Sequence, residues 1–277
     1  MNNTFVISGC VKNCASYLHE VFKNIYTIKQ KYNVLKIIIA YDHSNDTSLD
    51  ILNEYKSKDD SIIILINDKP MTNIRTENIS NARNQILDYV YNNYKENELD
   101  YIIMMDFDDV CSKTIDMNVF QGAMNAKDDW DIVTFNNERY YDFWALSFLE
   151  YNFSAWHTTN PYKLISSMYH DFINEMKKDN SKKYIKCNSS FNGFGIFKYS
   201  SCIGFRYSSE LDIKNINYKE LKKMMNRLNI NTRMMSKHDC EHRNYQMSIK
   251  REKNTKHVIW KEYLFPPYIG EHSAFLY

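Results

Sequence analysis

The sequence predicts an α/β fold: a central, mostly parallel sheet flanked by helices, continued by a mixed carboxyl-terminal half. Two observations carry that expectation. Largely apolar runs recur at residues 5–9, 34–41, 62–66 and 101–105, each of a length that suits a strand covered on both faces. Between them, apolar residues fall at helical spacing. Strands alternating with helices in this way build right-handed βαβ units, which bring the carboxyl ends of the strands to one rim. Open α/β sheets bind their ligands at such a rim.

Taken in order, residues 5–9 (Phe-Val-Ile-Ser-Gly) form the first strand, and Leu18, Val21, Phe22 and Ile25 give the next helix one buried face. The second strand, 34–41, holds three consecutive isoleucines and ends in a polar turn at 42–46. Thr47 and Asp50 are spaced to cap a helix carrying Leu49, Ile51, Leu52 and Tyr55. After the third strand, 62–66, residues 70–78 read as loop. A helix opening near Ser80 follows, with Ile79, Ala82, Ile86, Leu87 and Val90 on its apolar face. The fourth strand, 101–105, runs into Asp106-Phe107-Asp108-Asp109. Beyond it, 131–135 reads as a strand, and Leu221, Met224, Met225 and Leu228 mark an amphipathic helix.

Nothing in the 277 residues marks a linker or repeat, so a single domain is expected, with halves at 1–115 and 116–277. The 35 Lys and Arg nearly cancel the 34 Asp and Glu, which argues against a broad polyanion-binding surface and against nucleic acid as a partner. No apolar run approaches the roughly 18–20 residues that span a bilayer, and the amino terminus lacks a basic segment followed by an apolar core. The six cysteines (Cys10, Cys14, Cys111, Cys187, Cys202 and Cys240) include no C-x-x-C pair. Reduced thiols in a cytoplasmic protein are the expectation.

The acidic cluster after the fourth strand is the first candidate for chemistry. Crowded carboxylates repel one another and are comfortable when a cation sits between them. A hard divalent ion takes one or two carboxylates and completes its shell with water and phosphates. Asp106 and Asp108 are therefore candidate ligands of an ion that holds a diphosphate, the alternative being a solvated turn. On the same rim, Asp42, Ser44 and Asp46 offer hydrogen bonds to a base or ribose, or simply make a turn. Arg83, near a helix start after a polar loop, suits an anion through both its guanidinium and the helix dipole; a structural ion pair is the alternative.

In order, these pieces are a strand followed by the Asp42–Thr47 turn, then Asn81-Ala82-Arg83-Asn84, then a strand ending Asp106-x-Asp108-Asp109. The ordered set resembles the GT-A glycosyltransferases, nucleotide-sugar-dependent enzymes with a metal-binding D-x-D motif. It covers residues 4–110 well and the remainder loosely. The resemblance implies a GT-A-like (Rossmann-like) fold with an acceptor-binding second half. It also implies a UDP- or GDP-sugar donor, a hydroxyl of a glycan or glycoconjugate as acceptor, and Mn²⁺ or Mg²⁺ as cofactor. Carried over residue by residue, Asp42 would contact the nucleoside and Arg83 the nucleotide or its diphosphate. Asp106 would serve the ribose and metal side, and Asp108 would ligate the metal directly. The stretch Ser8, Gly9, Cys10 would approach the base or ribose.

Residues 135–170 are dense in aromatics, Trp144 and Trp156 among them, which suits sugar recognition as well as core packing. Gly193, in a segment with two of the chain's six glycines, would line the donor–acceptor junction in the family. His238-Asp239-Cys240-Glu241-His242 resembles the acidic pair that opens a helix in many such enzymes, with a His in place of the second acid. Glu241 is the expected general base and acceptor contact. His242 is the expected third metal ligand or an alternative base, with His257 and His272 as rival ligands.

Three other readings fit parts of the chain. Asp106-x-Asp108-x-Val110 also fits the nucleophile strand of haloacid-dehalogenase-like phosphatases, but that family places this strand first and here three precede it. His238-x-x-Glu241-His242 matches the inverted zinc-protease motif, though Lys237, Asp239 and Arg243 give little sign of a buried helix. A catalytically inactive sugar- or nucleotide-binding module of the same fold has less need of a metal at the phosphates.

Overall fold

The four apolar runs become the parallel strands of one sheet, and alternation along them decides which helix covers which face. The computed structural model describes residues 3–68, 70–138, 140–178, 181–233 and 237–266. Its strands are β1 (Thr4–Val11), β2 (Asn33–Tyr41), β3 (Ile62–Ile66), β4 (Tyr101–Met105), β5 (Ile132–Asn136), β6 (Tyr184–Cys187), β7 (Phe194–Lys198) and β8 (His257–Tyr263). Its helices are α1 (Ala15–Lys31), α2 (Ser48–Lys58), α3 (Arg75–Asn93), α4 (Met117–Asn125), α5 (Pro161–Lys177), α6 (Tyr199–Cys202), α7 (Tyr218–Leu228) and α8 (Glu241–Lys253).

The sheet runs β3-β2-β1-β4-β7-β5-β8-β6. β1 pairs in parallel with β2 and β4, and β2 with β3. β7 then runs antiparallel to both β4 and β5, β8 lies parallel to β5, and β6 is antiparallel to β8. The mostly parallel sheet with a mixed second half is the architecture expected, and it continues unbroken from one half of the chain to the other.

Phe5, Ile7, Ile37, Ile39, Ile103 and Met105 face Leu18, Val21 and Phe22 of α1 and Leu52 of α2. The alternate residues Val6, Ile38, Ala40, Ile102 and Met104 face Ala82, Ile86 and Val90 of α3 and Tyr245 and Ile249 of α8. Each Val, Leu, Ile, Phe or Met among them, fully removed from water, contributes about 1.5–3 kcal/mol before chain entropy is subtracted. A third cluster joins Leu164, Met168 and Phe172 of α5 to Leu221, Met224 and Leu228 of α7 over Tyr140, Phe148 and Tyr151. No helix among the described residues is long and apolar enough to cross a membrane.

Two local expectations change. α3 begins at Arg75, so residues 75–78, read as loop, are helical. The reason is that the first turns of α3 bury polar side chains, Thr76, Asn78 and Ser80, and so carry no apolar stripe. Thr47 makes no side-chain cap on α2; Asp46 does that work instead, accepting from the Ser48 amide at 3.0 Å.

Candidate active site

Because β1–β4 are parallel, Asp42, Asn67 and Asp106, which directly follow β2, β3 and β4, stand on one rim. Asp42 is buried, and its Oδ1 accepts from Asn67 Nδ2 at 2.6 Å. Asn67 in turn accepts from Gln85 Nε2 of α3 at 3.1 Å. The carboxylate is thereby fixed in orientation. The neighbouring polar groups are spent otherwise than expected. Ser44 Oγ accepts from the Asn13 amide and donates to the Asp42 carbonyl, at 3.0 and 3.1 Å. Asp46 accepts from the Ala15 amide at 3.0 Å as well as from Ser48. Ser44 and Asp46 therefore tie the loop to the starts of α1 and α2.

Ser8 is fully buried in β1 and donates to the Ile103 carbonyl at 2.8 Å, so its hydroxyl is committed inside the sheet rather than to a ligand. Gly9 matters for what it lacks. A Cβ there would lie 2.3 Å from the Met105 carbonyl oxygen and 2.4 Å from the Phe107 ring. Its absence lets Phe107 seat against β1, with Asp106 and Asp108 on either side of it in sequence. Cys10 next to it is partly exposed; burial pushes its thiol up to about 12, against the pull of the Arg83 charge.

At the end of β4 the Asp106 amide donates to the Gly193 carbonyl at 2.8 Å. Gly193 has a φ of 87°, and a Cβ there would meet Val110 Cγ1 at 2.3 Å. Asp108 caps the short 3-10 turn that follows, its Oδ1 accepting from the Val110 amide at 3.1 Å. Asp106 and Asp108 are partly exposed, and Asp109 is buried. A pair of accessible carboxylates at a strand end is an all-oxygen donor set, which fits Mg²⁺ or Mn²⁺ and not a soft metal.

Arg83 organises the interior of the site. Its buried guanidinium lies 3.5 Å from Asp106 Oδ1 through Nη2, and its Nη1 pairs with Glu241 Oε1. The rings of Phe191 and Tyr207 flank it, with centroids 5.3 and 5.5 Å away. Burial opposes the charge, but Glu241 and Asp106 outweigh it and hold the guanidinium above its ordinary value. Arg83 sits more than two turns into α3. The field of the helix dipole fades within the first turn and does not reach it; the ion pair is what holds it.

Glu241, His242 and His257 are all buried. Glu241 opens α8 as expected, but it is buried against Arg83. Its Oε1 is taken up by the buried Arg83 guanidinium. His242 lies face to face on Phe191 at 3.6 Å and edge-on to Tyr207 at 5.5 Å. Neither of its ring nitrogens has a hydrogen-bond partner among the described residues. Burial, and then the Arg83 charge, push its imidazole well below the usual range. Among the described residues no three His, Cys, Asp or Glu side chains form a metal-holding group, so His242 does not join Asp106 and Asp108. A cation at His242 would face Arg83, which is the physical reason.

His257 is a core residue: its Nδ1 donates to the Asn188 carbonyl at 2.9 Å, leaving Nε2 to accept from Thr255 Oγ1 at 2.8 Å. His272 lies outside the described residues. His238 precedes α8, so it does not share a helical face with His242 as the zinc-protease reading requires. α8 itself is largely buried, contrary to the expectation drawn from its charged flanks.

Trp144 donates through Nε1 to Asp239 Oδ1 at 3.1 Å and meets Trp156 edge to face, with centroids 6.4 Å apart. Trp156 is 39% exposed, so this pair reaches solvent, as do Tyr162 and Tyr169 further along the aromatic stretch. Between Trp144 and the acidic cluster stands a stretch that sequence reasoning did not single out. Tyr141 donates to Asp106 Oδ2 at 3.4 Å, and Asp142, half-buried beside it, accepts from the Ala145 amide at 3.0 Å. The available signal was an acid set among Tyr140, Tyr141, Phe143 and Trp144, where a carboxylate is out of place unless it is used. Asn67, Gln85 and Tyr207 left no such signal.

The sequence of residues 9–204 matches the family described as Glycosyl transferase family 2. No curated protein matches significantly. Among solved structures, the 1–349 fragment of S. aureus TarS in complex with UDP-GlcNAc is similar with a TM-score of 0.51 at 13% identity. That match covers 99% of this chain and 61% of the other. The structure of S. aureus TarS matches with a TM-score of 0.50 at 10% identity, covering 98% of this chain and 38% of that one. The mannosyltransferase PcManGT from Pyrobaculum calidifontis, in complex with GDP-Man and Mn²⁺, matches with a TM-score of 0.45 at 13% identity, covering 75% of this chain and 48% of the other. This chain thus spans less than two thirds of the length of these neighbours, and the likeness speaks to the fold. The match over 9–204 takes in the Asp42 turn, Arg83, the acidic cluster and Gly193, and on that ground the chain belongs to glycosyl transferase family 2.

Proposed function

We propose that the protein moves a sugar from a nucleoside-diphosphate sugar to a hydroxyl of a glycan or other acceptor, with a divalent ion at Asp106 and Asp108. The observation that carries this reading is the buried Arg83 held between Asp106 and Glu241, on the rim that Asp42 shares. Asp42, oriented by Asn67, meets the nucleoside. Arg83 fixes Asp106 and adds positive potential where the diphosphate lies. A bound Mn²⁺ or Mg²⁺ supplies Lewis-acid neutralisation of the charge on the departing diphosphate. Gly193 and Trp144 border the acceptor side, and Trp144 and Trp156 offer apolar faces to a sugar ring. The complex of TarS with UDP-GlcNAc supports testing UDP donors first.

Thermal-shift measurement with UDP and GDP, each with and without Mn²⁺, tests the reading. A ligand at 100 times its Kd raises stability by about 2.7 kcal/mol through mass action. The expected result is a shift that needs both metal and one nucleotide. The absence of a shift with either nucleotide contradicts it.

A further inference from the structure

The geometry points to Asp142, rather than Glu241, as the base that takes the proton of the attacking hydroxyl, an inference that rests on the transferase reading. Glu241 then becomes a positioning residue: it holds Arg83, which holds Asp106. Asp142 is free of that ion pair. Its neighbour Tyr141 reaches Asp106 Oδ2, which ties this stretch to the diphosphate end of the site. Two residues further on, Trp144 begins the solvent-reaching aromatic pair. Asp142 therefore stands between the group that holds the donor and the surface suited to the acceptor.

The stretch is pinned as a general base requires. The Tyr141 amide donates to Asn192 Oδ1 at 3.2 Å, and Arg243 Nη2 donates to the carbonyls of Trp144 and Leu146 at 2.8 and 2.9 Å. One oxygen of Asp142 is anchored by the Ala145 amide, while the residue stays partly exposed, leaving the second oxygen to meet a hydroxyl. The charged groups around it are Glu241, Asp106 and Arg83, and the titratable Tyr140, Tyr141 and Cys240 lie close by. Burial pushes Asp142 up to about 7; the Ala145 hydrogen bond and Arg83 resist, and the Glu241 and Asp106 charges add to the rise. A carboxyl in that range is part ionised at neutral pH, where a general base is most effective.

In the step itself, the acceptor oxygen bonds to the anomeric carbon as that carbon's bond to the phosphate oxygen breaks. The electron pair leaves with the diphosphate, and the hydroxyl proton passes to the unanchored oxygen of Asp142.

The test uses the full chain with Mn²⁺ and either UDP-GlcNAc or GDP-mannose, following release of UDP or GDP with water in the acceptor's place. Asp142→Asn is expected to slow release about 10²–10⁴-fold while leaving the nucleotide-dependent thermal shift unchanged. In the wild type the rate should rise with pH through a limb near 7, the range to which Asp142 is raised. Glu241→Gln should keep that limb whatever it does to the rate. Asp142→Glu, which restores a carboxyl, should recover a limb that Asp142→Asn lacks. Asp142→Asn releasing nucleotide at the wild-type rate and with the wild-type pH profile overturns the base assignment and leaves the transferase reading standing. A wild type that neither binds a nucleoside diphosphate nor releases one overturns the transferase reading, and the base with it.

Discussion

Arg83 is the residue on which the charge balance of the site turns, because it is buried and faces two carboxylates. Removing one partner of a buried ion pair strands the other, typically at a cost of 3–5 kcal/mol. Arg83→Met should therefore lose stability by about that amount in urea unfolding. Equal stability of the two proteins would show that Glu241 and Asp106 are satisfied without it. Asp108 is a contrasting case. It is partly exposed, and an asparagine keeps the oxygen that accepts from the Val110 amide, so Asp108→Asn should melt near the wild type. The same variant should lose Mn²⁺-dependent release of UDP or GDP from a donor. Retained release would remove Asp108 from the proposed metal site. The placement of Asp42, Asp106 and Asp108 at strand ends was legible in the sequence because each closes or follows a clean apolar run, whereas Arg83, singled out as near a helix start, lies more than two turns into α3. The roles of Ser8, Ser44 and Asp46 were not, since a polar side chain at a strand end looks the same whether it meets a ligand or its own backbone. Asp142 escaped because an aromatic-rich stretch without helical or alternating period gives no direction to any one side chain.

At the scale of elements, two glycines hold β4 in register with its neighbours. Gly193 has a backbone that favours glycine, and its added Cβ would press on Val110; Gly9 would drive a methyl into the Met105 carbonyl and the Phe107 ring. Gly193→Ala should cost roughly 1–3 kcal/mol, combining backbone strain and overpacking. Gly9→Ala should cost as much and also disturb Asp106 and Asp108, since the listing of Phe107 away from β1 moves the residues on both sides. Circular dichroism melts of both variants, with Mn²⁺-dependent nucleotide shifts alongside, separate the two effects. The βα units up to β4 were readable from periodicity alone. The insertion of β7 between β4 and β5 was not, because antiparallel pairing there joins strands far apart in the chain. α8 was readable as a helix start but not as a buried helix, because Arg243, Asn244 and Gln246 enter the interior with their own partners. Arg243 donates to the Trp144 carbonyl, Asn244 to that of Ser208 and Gln246 to that of Ser190.

Across the whole molecule, buried titratable groups set the response to pH. His257 is held neutral, its imidazole pushed down to about 3 by burial, and His242 is pushed well below the usual range. Between about 6.5 and the depressed folded value, the unfolded chain binds protons that the folded chain refuses, so stability is lost as pH falls. Asp142 works the other way: raised to about 7, it is protonated first in the folded state and adds stability as pH falls toward the ordinary carboxylate range. Comparing variants isolates one term. His257→Gln should be less stable at pH 7, yet its stability should fall less steeply between pH 6.5 and 4, by up to about 1.4 kcal/mol per pH unit. Parallel pH curves from urea unfolding would show that His257 accepts its proton in the folded state.

The rim after β2 and β4 is expected to hold a metal-bound nucleoside diphosphate, and every role proposed for the site depends on it. The most direct measurement is an anomalous difference map from crystals grown with Mn²⁺ and UDP or GDP. The expected result is a manganese peak against Asp106 and Asp108, with the base beside Asp42. A nucleotide bound elsewhere in the molecule, with no manganese against those two carboxylates, would contradict it.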